Sequence, residues 1–211
     1  SISDPSKSLN LVYIDDVVEE FLKALAGEVK ENKDNYYQVT PEFHVTLSEL
    51  STKLRYIKES RENLLVPNFE EVFDRNLYAT FTSYFDQDDV GYLLDKKSDE
   101  RGWLAEFIKS EQFGQIYISR TNPGFTRGIH WHNTKVEKFL VIEGEAELKL
   151  RQLNSEKVHT YHVSGDKLEV MEMPVGYVHS IKNSGNKDMF LLIWSQQLFN
   201  PKHPDTYNQE V

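Results

Sequence analysis

Cysteine is absent from this 211-residue chain. That excludes a disulfide framework and thiolate metal ligands, so any metal must be held by His, Asp or Glu. Long apolar runs are absent too. No stretch approaches the roughly 20 residues of a spanning helix, and Ser1 to Ser8 are polar with no apolar signal region behind them. No membrane partner is expected, and the lack of cysteine fits a cytoplasmic address. Positive charge is in short supply: 24 Lys and Arg stand against 34 Asp and Glu, a formal charge of −10. Such a chain repels nucleic acid and anionic lipid as a whole, although a local basic pocket still suits an anionic small molecule. Glycine is sparse, with 10 residues, and none builds the Gly-rich strand-to-helix turn that cradles a dinucleotide pyrophosphate. NADPH binding by this chain is therefore not expected. Internal repeats and low-complexity tracts are missing as well.

What is present divides the chain in two. Hydrophobic residues make up 39%, ample for a core. From Val12 to about Phe85 they keep helical spacing, and from about Gln115 to Gln196 they alternate. Asp16 with Glu19 has the form of a capping box, opening a helix whose apolar face is Val17, Phe21, Leu22 and Leu25. Thr46 with Glu49 repeats the signal ahead of Leu47, Leu50, Leu54 and Ile57. Asn68 with Glu71 does so ahead of Phe73, Leu77 and Phe81. All three stripes are expected to face a core. The charged stretch Asp95 to Arg101, closed by Gly102, reads as a connection. Strand-like runs follow at Gln115–Arg120, Glu137–Glu143, Glu145–Gln152, His159–Val163, Lys167–Met173 and Asp188–Ser195. Their turn-separated spacing predicts a sandwich or barrel.

Within the second part, His130 and His132 stand at i and i+2, which on a strand project to one face. Glu137 heads the next strand, where a short loop can return its carboxylate beside them. Pro174 and Gly176 form a turn ahead of His179 on a further apolar strand. Three imidazoles and one carboxylate make a tetrahedral or open octahedral shell, and such ligands suit zinc, iron, nickel or manganese alike. Zinc is the expected ion. His44, His159, His162 and His203 fit no such spacing.

These spacings match both parts of the cupin signature, with eight residues between Gly165 and Pro174 where the family usually has fewer. The chain therefore resembles the cupins, and the implied fold class is α+β: a double-stranded β-helix, or jelly-roll barrel, behind a helical segment. Thr126-Arg127-Gly128-Ile129-His130 resembles a segment of the dTDP-4-keto-sugar 3,5-epimerases, in which the arginine holds the sugar nucleotide and the histidine handles a proton. His130 is thus either a metal ligand or a proton carrier. Over Thr126 to Ile142 the chain is similar to the C-terminal cupin of CapF/WbjC-like bifunctional UDP-sugar epimerase/reductases of capsule or O-antigen synthesis. Leu11 to Phe21 looks like the closing segment of an extended short-chain dehydrogenase/reductase.

The resemblance implies a remnant of the reductase domain over 1–95 and a metal-binding cupin over 96–211. It implies epimerisation at C3 of a UDP-2-acetamido-2,6-dideoxy-4-ketohexose, then NADPH-dependent reduction at C4 by a nucleotide-binding half that this chain lacks. With that chemistry, Arg127 and Lys135 are candidates for holding the diphosphate or the keto oxygen. Tyr177 and Tyr117 are candidate proton carriers. Two other readings remain: a sugar-nucleotide 3,4-ketoisomerase, and a non-catalytic metal-stabilised module serving dimerisation or substrate gating. A UDP-sugar is the expected ligand. A homodimer is expected because open sheet edges favour pairing.

Overall fold

The chain is described from a computed structural model that covers residues 2–28 and 36–211. Two compact units emerge, one of residues 1–62 with 67–90 and the other of residues 63–66 with 91–211. Among the described residues no helix is long and apolar enough to cross a membrane.

The first unit contains β1 (Ser8–Leu11), α1 (Ile14–Ala26), β2 (Phe43–Thr46), α2 (Leu47–Asn63) and α3 (Val72–Ser83). The two strands pair antiparallel, with Leu9 opposite Val45. The expected capping box of α2 forms reciprocally. The Thr46 N–H donates to Glu49 Oε2 at 2.8 Å and the Glu49 N–H donates to Thr46 Oγ1 at 3.2 Å. Each bond satisfies a donor that the helix start would leave unpaired.

The other two start signals correct differently. Helix α1 opens two residues before Asp16, at Ile14, with Tyr13 as an uncapped N-terminal residue. Asp15 and Asp16 lie inside its first turn, where negative charge favours the helix dipole instead of capping it. Asn68 accepts the N–H of Glu70 at 3.0 Å, a local turn, and α3 starts only at Val72. The apolar face of α1 also departs from expectation. Phe21, Leu22 and Leu25 are 65%, 61% and 86% exposed. Helical periodicity fixes which residues share a face and leaves open what covers it.

The second unit holds β3 (Lys96–Asp99), β4 (Gly102–Ser110), β5 (Gly114–Thr121), β6 (Thr126–Trp131), β7 (Glu137–Glu143) and β8 (Glu145–Gln152). It continues with β9 (Val158–Ser164), β10 (Val170–Met173), β11 (Tyr177–Asn183), β12 (Met189–Ser195) and β13 (Tyr207–Asn208). One sheet runs β10-β7-β12-β5-β4-β3 and the other β13-β6-β11-β8-β9. Every pairing between these strands is antiparallel. The two sheets share one core. Phe139 and Val141 of β7 and Met189 and Leu191 of β12 meet Ala146, Leu148 and Leu150 of β8 and Ile181 of β11. Strands β7 and β8 are consecutive yet lie in different sheets, so the chain crosses between sheets at Gly144. There φ is +90°, and a Cβ would meet Asp188 O at 2.9 Å, so only glycine passes. Two antiparallel sheets connected in this way form the double-stranded β-helix of a cupin, preceded by helices: an α+β chain.

Strands β4 and β13 lie outside the runs expected from the sequence, and two further segments differ from that reading. Lys96–Asp99, read as part of a connection, is an edge strand on β4, and Asp99 accepts the Arg101 N–H at 2.9 Å to close the turn. Its exposed charges are what a protected sheet edge carries, and the same composition imitates a linker. The strand expected from Lys167 begins at Val170, because residues 165–168 form a turn with Leu168 at φ +48°.

All three tryptophans, Trp103, Trp131 and Trp194, lie in the barrel, so their fluorescence reports its unfolding alone. Leu148 is 0% exposed, and Leu148→Ala is expected to lower barrel stability in urea by about 2–5 kcal/mol. Ile142 is 45% exposed, and Ile142→Ala is expected to change stability by no more than about 0.5 kcal/mol. Equal losses in the two variants would contradict this placement of the core.

Candidate metal centre

His130 lies on β6, His132 just beyond it, Glu137 at the head of β7 and His179 on β11. Because β11 pairs with β6, His179 sits directly opposite His130 although 49 positions separate them. The imidazole centroids are 4.6 Å apart for His130 and His179, 4.7 Å for His130 and His132, and 5.5 Å for His132 and His179. Glu137 Oε2 is 3.2 Å from His132 Nε2 and 3.7 Å from His179 Nε2. One donor atom from each of the four residues lies within 4.8 Å of all the others.

A backbone irregularity brings Arg127 to the same place. Between the pairs His179–His130 and Ser180–Gly128 the register shifts, leaving Ile129 as an extra residue on β6. Gly128 and Ile129 take φ of +80° and +66°, a left-handed conformation costly for a β-branched side chain. Without the bulge, residues three apart would point to opposite faces. With it, Arg127 and His130 both line the cavity. Gly128 is required by space as well, since a Cβ there would lie 3.1 Å from His179 O.

The site is dry. His132 is 3% exposed, Glu137 8% and His179 1%. Burial, with the neighbouring His130, pushes the His179 pKa down to about 4, and burial with the neighbouring His132 lowers that of His130. Burial alone would raise Glu137, but the hydrogen bond and charge of His132, with His179 and Lys135, hold it below the ordinary carboxylate value. At neutral pH the cluster is thus two neutral imidazoles around His132 and one carboxylate. His179 Nε2 is buried with no hydrogen-bond partner. An orphaned buried nitrogen is costly unless something accepts its lone pair. A divalent cation does so and also answers the buried carboxylate, so the residues present fit a metal ion.

A cavity of about 480 Å³ opens onto the cluster. Leu104, Ile181, Leu191 and Ile193 supply apolar wall, and Lys97, Arg101, Arg127 and Lys135 supply four cationic side chains. Three of the four other predicted residues are therefore brought together here. Arg127 is anchored through Nε to Thr121 Oγ1 at 2.9 Å and through a terminal nitrogen to the Arg120 carbonyl at 3.3 Å. Lys135, 6% exposed, donates Nζ to the Pro204 carbonyl at 3.0 Å. Tyr117 accepts the side-chain amide of Gln115, and burial, reinforced by Glu106 and Glu137, raises its pKa. Tyr177 is elsewhere: it packs against the hydrophobic core of the barrel and does not line the cavity. Lys97 and Arg101 went unremarked in the sequence because they sit in the segment that imitates a linker. His44, bonded to Asn10 at 2.8 Å, and the exposed His159, His162 and His203 take no part in the cluster.

The family described as polysaccharide biosynthesis C-terminal domain matches residues 97–207. UDP-2-acetamido-2,6-beta-L-arabino-hexul-4-ose reductase of Pseudomonas aeruginosa is 35% identical over 206 residues, covering 98% of this chain and 55% of the relative. The spore coat polysaccharide biosynthesis protein SpsL of Bacillus subtilis is 25% identical over 122 residues, 53% of this chain and 81% of that protein. Among solved structures, the capsular polysaccharide assembling protein CapF from Staphylococcus aureus superposes with a TM-score of 0.94 at 40% identity, over 100% of this chain and 61% of its own. The chain thus spans 55% and 61% of the length of the reductase and of CapF.

Two measurements follow from the geometry. In the metal-free protein the unfolded chain protonates His179 as pH falls through about 6.5, while the folded barrel resists until about 4. The stability this contributes is complete above pH 6.5 and lost on the way down to pH 4, by about 3 kcal/mol. The urea midpoint of chelator-treated protein should fall across that window and stay flatter in His179→Gln; equal slopes would exclude His179 as the cause. Gly128→Ala, which crowds the His179 carbonyl at a left-handed position, is expected to cost about 1–3 kcal/mol of barrel stability. A urea midpoint unchanged from the parent would show that the bulge is not constrained as described.

Proposed function

The chain belongs to the polysaccharide biosynthesis C-terminal domain family, and from that premise we propose that its barrel is a zinc-dependent epimerase acting at C3 of a UDP-2-acetamido-2,6-dideoxy-4-ketohexose. The observation that carries this reading is the conjunction of a dry His₃Glu cluster with a cationic cavity of about 480 Å³. The Pseudomonas relative is named for a UDP-linked 4-keto sugar, and the same class of substrate has the chemistry that these residues serve.

His130, His132, Glu137 and His179 hold the ion. When bound, zinc supplies Lewis-acid polarisation of a carbonyl oxygen. The remaining work belongs to the chain. Epimerisation passes the C3 proton to a base on one face of the sugar, leaves the C–H electron pair delocalised onto the C4 oxygen, and takes a proton back from an acid on the opposite face, with no net redox change. Lys135 and Arg127 are donors for the keto oxygen or the nearer phosphate, and both are pre-anchored by the barrel, so little rotamer entropy is lost on binding. Lys97 and Arg101, across the cavity mouth, complement the second phosphate. Tyr117 is the proton carrier among the lining residues: its raised pKa keeps it protonated at neutral pH and able to donate. Tyr177, packed into the core, drops out of this assignment. The apolar wall and the burial of the cluster exclude water, which strengthens every one of these interactions.

On this reading residues 1–95 are the closing part of an extended short-chain dehydrogenase/reductase domain, and the uncovered face of α1 is one it would bury against the rest of that domain. NADPH-dependent reduction at C4 belongs to the additional length of the relatives. The longer protein acts on cytoplasmic nucleotide sugars, as a homodimer paired through free sheet edges.

Deuterium exchange at C3 tests the assignment. Given a UDP-4-keto-6-deoxy sugar in deuterium oxide, the protein should incorporate label at C3 and produce the inverted epimer. Glu137→Gln or a strong chelator should suppress exchange by at least about 100-fold, the span expected when oxyanion stabilisation worth several kcal/mol is lost. Exchange that survives removal of the ion sinks metal-assisted epimerisation. A positional ketone shift without C3 inversion would instead assign a 3,4-ketoisomerase.

A further inference from the structure

The loop that follows β6 carries His132 and Lys135 and leads into Glu137, yet it has no strand pairing of its own. Gly176 and Gln196 N–H groups bond its two ends at the His132 and Val136 carbonyls, and the Gln196 and Gln197 side chains reach Thr134; its middle is gripped from some seventy residues away. Asp205 Oδ1 accepts the N–H of Asn133 at 3.0 Å, and its Oδ2 accepts those of Thr134 at 2.8 Å and Lys135 at 2.9 Å. Oδ2 also takes the Thr134 hydroxyl at 2.9 Å. Three successive backbone donors thus converge on one carboxylate, a concavity shaped for an anion. The main chain of the same segment continues the grip. The Asp205 carbonyl lies 2.5 Å from His132 Nδ1, and the Pro204 carbonyl accepts Lys135 Nζ at 3.0 Å.

The segment is itself held on the barrel. Strand β13 pairs with β6, placing Tyr207 opposite Trp131 with their rings stacked at 4.5 Å, and the Gln209 N–H donates to the Ile129 carbonyl at 3.2 Å. Asp205 adopts φ +45°, a left-handed conformation that aspartate tolerates better than most residues.

A carbonyl facing Nδ1 admits only a proton there, because two acceptors do not bond. His132 therefore carries a proton on Nδ1, and its Nε2 is turned toward Glu137 and the cluster. We propose that Asp205 is the positioning residue of the metal loop: its carboxylate clamps residues 133–135, and its carbonyl fixes the tautomer and ring orientation of His132. This inference rests on the metal reading of the His₃Glu cluster and assigns the loop's order to the C-terminal strap. Asp205 has no part in holding the ion.

The experiment uses the full chain. Zinc affinity is measured by competition with a chromophoric chelator in the parent, Asp205→Ala, Asp205→Asn and, as a stability control, Leu148→Ala. The His132 tautomer is read in the metal-free protein from ¹⁵N–¹H correlations of the imidazoles. Asp205→Ala should weaken zinc binding about 10- to 100-fold, the usual consequence of losing a ligand's supporting partner. It should also let a form of His132 that lacks the Nδ1 proton appear. Asp205→Asn, which keeps one acceptor oxygen and the left-handed preference, should fall between parent and alanine. Leu148→Ala, less stable but remote from the loop, should bind zinc as the parent does. If the parent takes up no zinc, the metal reading fails, whereas the tautomer still reports on the strap. If the parent binds zinc and Asp205→Ala matches it in affinity and tautomer, the metal reading stands and the positioning role is overturned.

Discussion

A carboxylate and three imidazoles converge in one largely buried space of the barrel, and this is the constraint around which the second unit is built. Glu137 keeps its charge there only because His132 and His179 lean on it, and His179 has nowhere else to direct its Nε2. Desolvation of this kind works against folding unless a cation offsets it. The depressed pKa values of His130 and His179 are the other side of the same fact: burial removes competing protons and leaves the nitrogens available as ligands. The cluster is thus poor as a structural feature and well prepared as a binding site.

Holding it requires backbone devices that a regular sheet does not supply. Strict alternation along β6 would have turned Arg127 away from His130. The bulge at Gly128 and Ile129 adds the one residue that brings both to a common face, at the expense of two left-handed conformations. Beyond β6 the chain leaves the sheet before Glu137, and there the strap at Asp205 replaces the ladder bonds that a strand would have made. Both devices abut residues of the cluster, and they add to register shifts elsewhere in the barrel, at Phe190/Leu191 between β12 and β7 and at Glu106/Ile108 on β4.

The convergence of the four residues was legible because its information is local or follows from strand periodicity. His130 and His132 share a face by spacing, Glu137 follows a loop too short to go elsewhere, and His179 needed only the assumption that its strand lies beside β6. The reciprocal cap at Thr46 and Glu49 was legible for the same reason. What escaped reading depended on partners distant in sequence. Nothing near Asp205 announces that three N–H groups some seventy residues earlier converge on it. Charge in Lys96–Asp99 has two physical causes, a solvated linker and a protected sheet edge, and composition does not separate them, so Lys97 and Arg101 were passed over. Tyr177 shares a face with His179 on β11, but faces do not say how far along the barrel a side chain sits, and it ends partly buried against the core, outside the cavity lining. The stripe on α1 carries the complementary lesson. Its period is real, yet Phe21, Leu22 and Leu25 lie open, because amphipathicity states a demand for burial without naming what meets it.

The electrostatics of the cavity gain meaning from the charge of the whole. A chain at −10 repels anions in general, yet Lys97, Arg101, Arg127 and Lys135 gather at one opening. A small anion that fits the cavity meets the local field of these side chains and not the charge of the whole. Within that field the cations are not equivalent. Arg127 and Lys135 are anchored from behind by Thr121, Arg120 and Pro204 and stand next to the cluster. Arg101 is shared with Asp99, so its charge toward the cavity is partly compensated. A ligand negative at one end and carrying a polarisable carbonyl at the other would be drawn in by Lys97 and Arg101 and oriented by Arg127 and Lys135, whose positions are fixed from behind. The gradient of anchoring, and not the number of positive charges, is what would set the direction in which such a ligand enters.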